Sequence, residues 1–252
     1  MTWAQSVSQS ATWQRNDSLN SLPDPVRNLL LPHLQDTVFP QESILWEPGR
    51  KIDRVYFPYR GAVSLIAQTA DGSTIGLAMI GPDGVIGGLA ALGLQNVFAR
   101  CVVNVELGAL CIATSRLQEI LLLPHAANLK SLLLADVDRL LFQMQQVSAC
   151  NALHPIETRL ARLLLRTADC VGSDNGIPFT QEQISQLLGV QRTTINLVIR
   201  IMANVGLLRS RRGRVEIVDR SGLEKKACEC YASISSRLDR GLAPPPDYFR
   251  HG

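Results

Sequence analysis

Residues 180–200 read TQEQISQLLGVQRTTINLVIR, the pattern of two short helices joined by a tight turn. Helices that meet steeply need a small residue at their closest approach, which Ser185 provides. The turn needs a residue that tolerates positive φ, which Gly189 provides. Five apolar side chains are spaced to fill the wedge between the helices: Ile184, Leu188, Val190, Ile195 and Val198. The stretch therefore predicts a helix-turn-helix.

The second helix of this motif begins near Arg192, and we expect its first turn to read DNA. Side chains there can reach base edges in the major groove. Arg192 is the main candidate, because a guanidinium can donate two hydrogen bonds to guanine. Asn196 could pair with adenine, hold a phosphate or face solvent. The predicted base-reading set is Gln191, Arg192, Thr193 and Asn196.

Phosphate contacts are expected at the helix ends and on a basic turn that follows. Residues 207–218 read as two short strands around a glycine-tipped turn, the pattern of a wing, and four arginines occupy residues 209–214. Phosphate neutralisation explains this density better than solubility does. The predicted phosphate contacts are Thr180, Gln181, Arg200, Arg209, Arg211 and Arg212.

Positive charge is concentrated after Pro155. Residues 1–154 contain 10 Lys/Arg and 12 Asp/Glu, a net charge of −2, whereas residues 155–252 contain 15 and 10, a net charge of +5. A basic C-terminal part permits nucleic-acid binding. No apolar run approaches the roughly 18–20 residues that cross a bilayer, and no secretory signal pattern begins the chain. We expect a cytoplasmic protein with no membrane partner.

The pattern of apolar residues and the positions of turn residues divide the chain into five segments. Short apolar stretches such as 54–57 and 62–67, separated by glycine and proline, predict a compact β-barrel or sandwich. Pro155 marks a boundary, because proline lacks an N–H and restricts the residue before it. The predicted order is a disordered leader (1–20), a β domain (21–123), a long helix (124–154), a DNA-binding domain (155–227) and a C-terminal helix with a tail (228–252).

The long helix carries a heptad seam. Its members are Leu133, Val137, Leu140, Met144 and Val147. Polar residues flank this stripe, which favours pairing between two subunits over packing on the β domain. Packing on the β domain stays open as the alternative.

The order of β domain, long helix and winged helix-turn-helix resembles the Crp/Fnr family of bacterial transcription regulators. The resemblance spans about residues 22–227 and is most specific over 179–200, in Gly206-Leu207-Leu208 and in the wing segment 212–217. It implies an α+β fold with an N-terminal double-stranded, jelly-roll-like β-roll and a dimerisation helix over 124–154. It also implies a homodimer that binds a two-fold symmetric site on double-stranded DNA, with RNA polymerase as a further partner if the protein activates.

Two departures from the family bear on ligand and operator. Cyclic-nucleotide-binding members use a Gly-Glu-Leu stretch and a later Arg-Ser/Thr pair, and the matching residues here are Gly87, Gly88, Leu89, Ala99 and Arg100. The Glu is absent and the Arg is displaced, so a buried phosphate would lose its two-donor partner. We therefore expect a degenerate effector pocket that does not bind cyclic AMP. Thr193 and Leu197 replace the Glu and Arg of members that read well-known half-sites, so the operator should differ.

No cofactor, metal site or enzymatic activity is predicted. The iron–sulfur centre of oxygen-sensing members needs N-terminal cysteines, and none precedes Cys101. The four histidines are isolated in sequence, and Cys228 and Cys230 would point apart on a helix. No G-x-S-x-G elbow, phosphate loop or H-E-x-x-H motif is present.

Several functional alternatives remain at this stage. The β domain could sense an unknown effector, respond to a cyclic nucleotide after all, or serve only as a dimerisation scaffold. A winged helix can also bind proteins instead of DNA, but the arginine-rich wing argues against that interpretation.

Overall fold

The computed structural model describes residues 12–174 and 176–240, with side chains up to residue 237. Short 3-10 helices lie at Trp13–Arg15, Leu31–His33 and Pro124–Ala126. The N-terminal elements are α1 (Asp17–Asn20), α2 (Asp24–Leu30), β1 (Gln35–Phe39), β2 (Ile44–Trp46), β3 (Arg54–Gln68), β4 (Thr74–Ile80), α3 (Gly88–Ala91), β5 (Arg100–Ala113) and α4 (Thr114–Leu121). The remaining elements are α5 (Ala127–Leu153), α6 (Ile156–Val171), α7 (Gln181–Leu188), α8 (Arg192–Asn204), β6 (Leu208–Arg211), β7 (Arg214–Ile217), α9 (Arg220–Lys226) and α10 (Glu229–Arg240).

The N-terminal strands form one antiparallel sheet in the order β1-β5-β3-β4, and β2 also pairs with β5. The two long strands, β3 and β5, change register several times opposite residues 58–63. Gly61 adopts φ +79° there, and a Cβ on it would lie 2.1 Å from the carbonyl oxygen of Glu106. A glycine is therefore required for β3 to bend and continue. The sheet encloses a β-roll, as the family resemblance implies.

Alternation along β3 places apolar side chains on both faces of the sheet. Val55 and Phe57 join a cluster with α1, α2 and α5, whereas Tyr56 and Val63 face a second cluster inside the roll. Because an apolar cluster covers each face of the sheet, the β-roll has one packed layer inside it and a second packed layer between the sheet and the helices.

The chain before α2 is anchored, which corrects the predicted disordered leader for residues 12–20; residues 1–11 lie outside the described residues. Asn16 is fully buried. Its amide donates hydrogen bonds to the carbonyl oxygens of Pro58, Pro82 and Gly84 at 2.8–3.1 Å. Leu19 is also fully buried in the core. Asn16 and Leu19, together with Trp13 packed against the same core, order a segment whose other residues are polar.

Helix α5 packs on its own β-roll with the face that the heptad seam occupies. Leu133 and Val147 are buried, while Leu140 and Met144 pack against the cluster inside the roll. Part of the seam therefore packs on the β-roll of the same subunit, as the alternative expected, while Val137, Leu140 and Met144 are only partly buried. Pairing of two subunits along the seam stays a prediction. An apolar stripe with a seven-residue repeat indicates that one face of the helix is buried, but it does not show which element covers that face.

The C-terminal elements surround a third core and share it with the β-roll. Ile66 of β3 and Met79 of β4 belong to the same cluster as Leu164 of α6 and Leu187 of α7. Within the described ranges no single helix is long and apolar enough to span a membrane. The pair Thr114–Leu121 and Pro124–Leu153 reaches that length and composition together, but the two helices are bent by 102° relative to each other.

Candidate nucleic-acid interface

The helix-turn-helix forms where the sequence predicts it. Thr180 caps α7: its Oγ1 accepts a hydrogen bond from the Gln183 N–H at 3.2 Å, and the Gln183 Oε1 accepts one from the Thr180 N–H at 2.9 Å. This capping box fixes the start of the helix. Gly189 ends α7 with φ +63°. Ile184 and Ile195 meet fully buried between the two helices.

Helix α8 buries one face and exposes the other. Its buried residues are Ile195, Val198, Ile199 and Met202. The predicted base-reading residues Gln191, Arg192, Thr193 and Asn196 are all exposed, as is Arg200. Arg192 and Arg200 have no ion-pair partner among the described residues. Their guanidinium groups are therefore available to an anionic ligand.

The wing is an antiparallel pair of β6 and β7 joined through Arg212 and Gly213, with φ +71° at the glycine. Glu216 lies 3.3 Å from the Arg209 guanidinium and 3.2 Å from that of Arg211. Arg212 has no such partner in the described part of the chain. Because Glu216 offsets part of the charge on its two neighbours, Arg212 and the equally exposed Arg214 are more open to a phosphate than Arg209 and Arg211.

A cleft of about 630 Å³ lies between the wing and the start of α8. It brings together several residues that the sequence assigned separately to base reading and to phosphate contact. Four arginines and one glutamate border it. Its lining includes Thr180, Gln181, Glu182, Arg192, Arg211, Arg212 and Arg214, whereas Asn196, Arg200 and Arg209 lie outside it. The positive balance suits a polyanion.

The β-roll contacts the helix-turn-helix directly. Gln183 donates a hydrogen bond to Glu42 at 2.9 Å, and a Cβ on Gly76 would lie 3.0 Å from the Leu187 carbonyl oxygen. A second cleft, of about 950 Å³, separates the two parts and is bordered by Arg192. The end of α8 that would read DNA thus lies beside the β-roll.

The predicted effector residues occupy two different environments. Arg100 lines the cleft beside the helix-turn-helix and pairs with Glu47 at 2.7 Å. Gly87 and Gly88 lie at the start of α3, away from that cleft. Gly88 packs near α5, since a Cβ on it would lie 3.5 Å from Leu133 Cδ2. The arginine that should hold a phosphate is therefore already engaged by a carboxylate.

A buried carboxylate that the sequence reasoning treated only as a polar flank lies in the N-terminal half of α5. Asp136 Oδ1 accepts a hydrogen bond from the Val85 N–H at 3.0 Å and lies 3.4 Å from Arg139 Nη2. Burial raises the pKa of Asp136 to about 7. The α-helical period could have indicated this burial, because Asp136 lies three residues after Leu133.

The sequence analysis also missed a cluster of potential metal ligands. Cys228 and Cys230 lie with Cys150 and His154, and one ligand atom from each lies within 4.8 Å of the others. The expectation that Cys228 and Cys230 point apart is therefore wrong, and His154, which is isolated in sequence, joins them in space. Cys228 precedes α10, so its side chain does not follow the helical spacing that would separate it from Cys230.

Two family models match the chain and together cover more than half of it. The Crp-like helix-turn-helix domain matches residues 158–226, and the cyclic nucleotide-binding domain matches residues 36–122. A CRP-like cAMP-activated global transcriptional regulator of Mycobacterium tuberculosis is 25% identical over 204 residues, which is 79% of this chain and 90% of that protein. The cyclic AMP receptor protein of Thermus thermophilus is 26% identical over 203 residues, or 79% and 91%.

Solved structures show the same fold. The global regulator CLP of Xanthomonas campestris superposes with a TM-score of 0.65 at 17% identity and covers 78% of this chain and all of its own. FixK2 of Bradyrhizobium japonicum also gives 0.65, at 15% identity, over 77% of this chain and 98% of its own. With a β-roll, a long helix and a winged helix-turn-helix in the same order, the chain belongs to the Crp/Fnr family of transcription regulators.

Proposed function

We propose that the protein binds a two-fold symmetric promoter site as a homodimer and reads it with the first turn of α8. The observation that carries this proposal is the cleft where exposed Arg192 meets the wing. In the major groove, Arg192 would donate to guanine while Arg212 neutralises a phosphate. Both guanidinium groups are free for these contacts, since neither has an ion-pair partner among the described residues.

The dimer contact would use the exposed face of α5. Leu134 is 51% exposed and Leu141 is 54% exposed, and they are one heptad apart. Each follows a seam residue by one position, so this face is rotated by about 100° from the buried one. Two exposed leucines about two turns apart on one face of a long helix favour pairing with a second copy.

The β-roll would act without cyclic AMP. Two relatives are named for cyclic AMP, but this chain has Gly88 where the ribose-binding Glu is expected, and Arg100 pairs with Glu47. A cyclic phosphate would have to displace that carboxylate. The β-roll then either serves as a scaffold or responds to another signal.

The test is selection of the purified protein against random duplex DNA near physiological salt, with and without cyclic AMP. A palindromic motif that is unchanged by cyclic AMP supports the proposal. Enrichment that requires cyclic AMP would overturn the assignment of the β-roll.

A further inference from the structure

A compact set of soft metal ligands lies where α5 ends and α10 begins. The Sγ atoms of Cys150 and Cys228 are 3.4 Å apart. Cys230 Sγ lies 3.7 Å from His154 Nδ1. The four ligand atoms lie within 4.8 Å of one another, and Cys150 and Cys230 are buried.

These separations suit a tetrahedral zinc ion. Zinc binds thiolate sulfur at about 2.3 Å and imidazole nitrogen at about 2.0–2.1 Å, so neighbouring ligand atoms lie about 3.5–3.8 Å apart. Two measured separations already fall within a few tenths of an ångström of that range. Three sulfurs and one nitrogen complete the coordination, which is typical of a closed structural site. Thiolates also disfavour hard cations such as magnesium or calcium.

Surrounding charges complete the arrangement. His154 Nε2 lies 3.3 Å from Glu229 Oε1. An Nε2–H that donates to this carboxylate leaves Nδ1 free as the ligand, a common arrangement around metal-bound histidine. The buried Arg162 interacts with Cys150 and balances part of the negative charge that three thiolates would bring.

Local chain geometry explains how the ligands converge. Cys150 lies in the last turn of α5, and His154 follows the helix directly and donates its backbone N–H to the Cys150 carbonyl oxygen at 3.1 Å. Cys228 precedes α10 and Cys230 lies in its first turn. The cluster therefore joins two helices that are distant in sequence, and Pro155, which starts α6, follows His154 directly.

We propose that Cys150, His154, Cys228 and Cys230 form a structural zinc site that clamps α10 to the end of α5. The site lies at the joint between the long helix and the DNA-binding domain. Zinc would hold this joint in one geometry, because binding adds its free energy only to the conformation that brings the ligands together. An effect on DNA affinity rests on the proposed function, whereas the metal site does not.

The direct test measures metal binding to the full-length protein. Metal-free, reduced wild type is titrated with Co²⁺, followed by its visible and thiolate charge-transfer absorption, and then with Zn²⁺ in competition. We expect a tetrahedral cobalt spectrum that saturates at about one ion per chain, as four-ligand sites require. Cys228→Ser and His154→Gln should each weaken binding by at least about 10-fold, and Glu229→Gln should weaken it by about 10- to 100-fold.

Cys170→Ala is the matched control. Cys170 is a buried thiol outside the cluster, and burial raises its pKa to about 12. Its removal should leave the cobalt spectrum unchanged, while circular dichroism confirms that every variant is folded. The proposal is overturned if wild type and Cys228→Ser bind the metal equally. The proposal is also overturned if the reduced wild type does not bind the metal. Formation of a Cys150–Cys228 disulfide on exposure to air would then show that the cluster is a redox pair instead of a metal site.

A second arm measures affinity for the selected DNA site before and after zinc removal. If the joint is fixed by zinc, removal should weaken DNA binding in wild type and leave Cys228→Ser unaffected. If neither form binds DNA, the proposed function fails, while the cobalt titration still decides the metal site. Equal DNA affinity with and without zinc would overturn only the coupling.

Discussion

Arg166 of α6 and Asp83 of the loop after β4 form an ion pair at 2.6 Å that connects the DNA-binding domain to the β-roll. The arginine side chain is only 7% exposed and also donates to the Met79 carbonyl oxygen at 3.3 Å. A conformational change in the β-roll that moves Asp83 would therefore act directly on α6 through this ion pair. This ion pair is a physical connection between the two domains. Its part in coupling them is measured by the interaction energy between the two residues.

Breaking this pair should destabilise the protein strongly. Asp83→Asn leaves the buried Arg166 without its carboxylate, which costs about 3–5 kcal/mol in comparable pairs. The Asp83→Asn/Arg166→Met double variant should recover part of that loss, because the buried charge is then gone. Urea denaturation of the wild type, both single variants and the double variant gives the interaction energy. Strictly additive losses would show that the pair contributes nothing as a pair.

The buried carboxylate of Asp136 predicts a pH-dependent stability. Burial raises its pKa from 3.8 to about 7, against the opposing effect of Arg139. The neutral form is thus favoured in the folded state, so the stabilisation is present below about pH 4 and is lost as the pH rises through 7. Relative to wild type, Asp136→Asn should gain about 1.4 kcal/mol per pH unit between those limits.

Denaturant unfolding of both proteins from pH 4 to 8 checks this expectation. Asp53→Asn is the control, since Asp53 is an exposed carboxylate with no ion-pair partner among the described residues. A constant difference between wild type and Asp136→Asn across the range would show that Asp136 titrates normally.

Arg192 and Arg212 should affect DNA binding differently. Arg192→Ala removes a base contact and should relax preference at one position of the half-site by about 1–3 kcal/mol. Arg212→Ala removes a phosphate contact and should weaken binding to all sequences, lowering the slope of log affinity against log salt by about 1.

Fluorescence anisotropy with the selected site, single-base variants and several salt concentrations separates the two effects. Arg50→Ala, an exposed arginine of the β-roll, serves as the matched control and should match wild type. A uniform loss in the Arg192 variant, with no change in preference, would place Arg192 on the backbone of the DNA and not on its bases.

The exposed face of α5 predicts the oligomeric state. Leu134→Glu with Leu141→Glu should convert a dimer into a folded monomer, because both side chains are about half exposed within one subunit. Leu133→Glu should instead unfold the protein, since Leu133 is fully buried. Sedimentation velocity and circular dichroism distinguish these outcomes. A dimer that persists in the Leu134/Leu141 variant would contradict the assignment.

Sequence reasoning predicted elements whose chemistry is local. The capping residue Thr180, the positive-φ Gly189 and the apolar wedge define the helix-turn-helix within 21 residues. Features that depend on distant contacts were missed. Segments 54–57 and 62–67 form one strand, because Gly61 lets the chain bend at a close approach to Glu106.

The same limit explains why the sequence left open which element covers the seam of α5 and why it did not reveal the metal ligands. The stripe through Leu133 was correct as a buried face, but only the fold shows that the β-roll covers it. Cys150 and Cys228 are 78 residues apart in sequence and meet only because α10 packs back on α5. No spacing rule within either segment indicates that contact.

Selection from random duplex DNA without added ligand tests the central claim most directly. The account predicts a palindromic motif whose preference at one half-site position is lost in Arg192→Ala and kept in Arg50→Ala. Recovery of only salt-sensitive, sequence-independent binding by the wild type would contradict the claim that α8 of a ligand-free dimer reads a specific site.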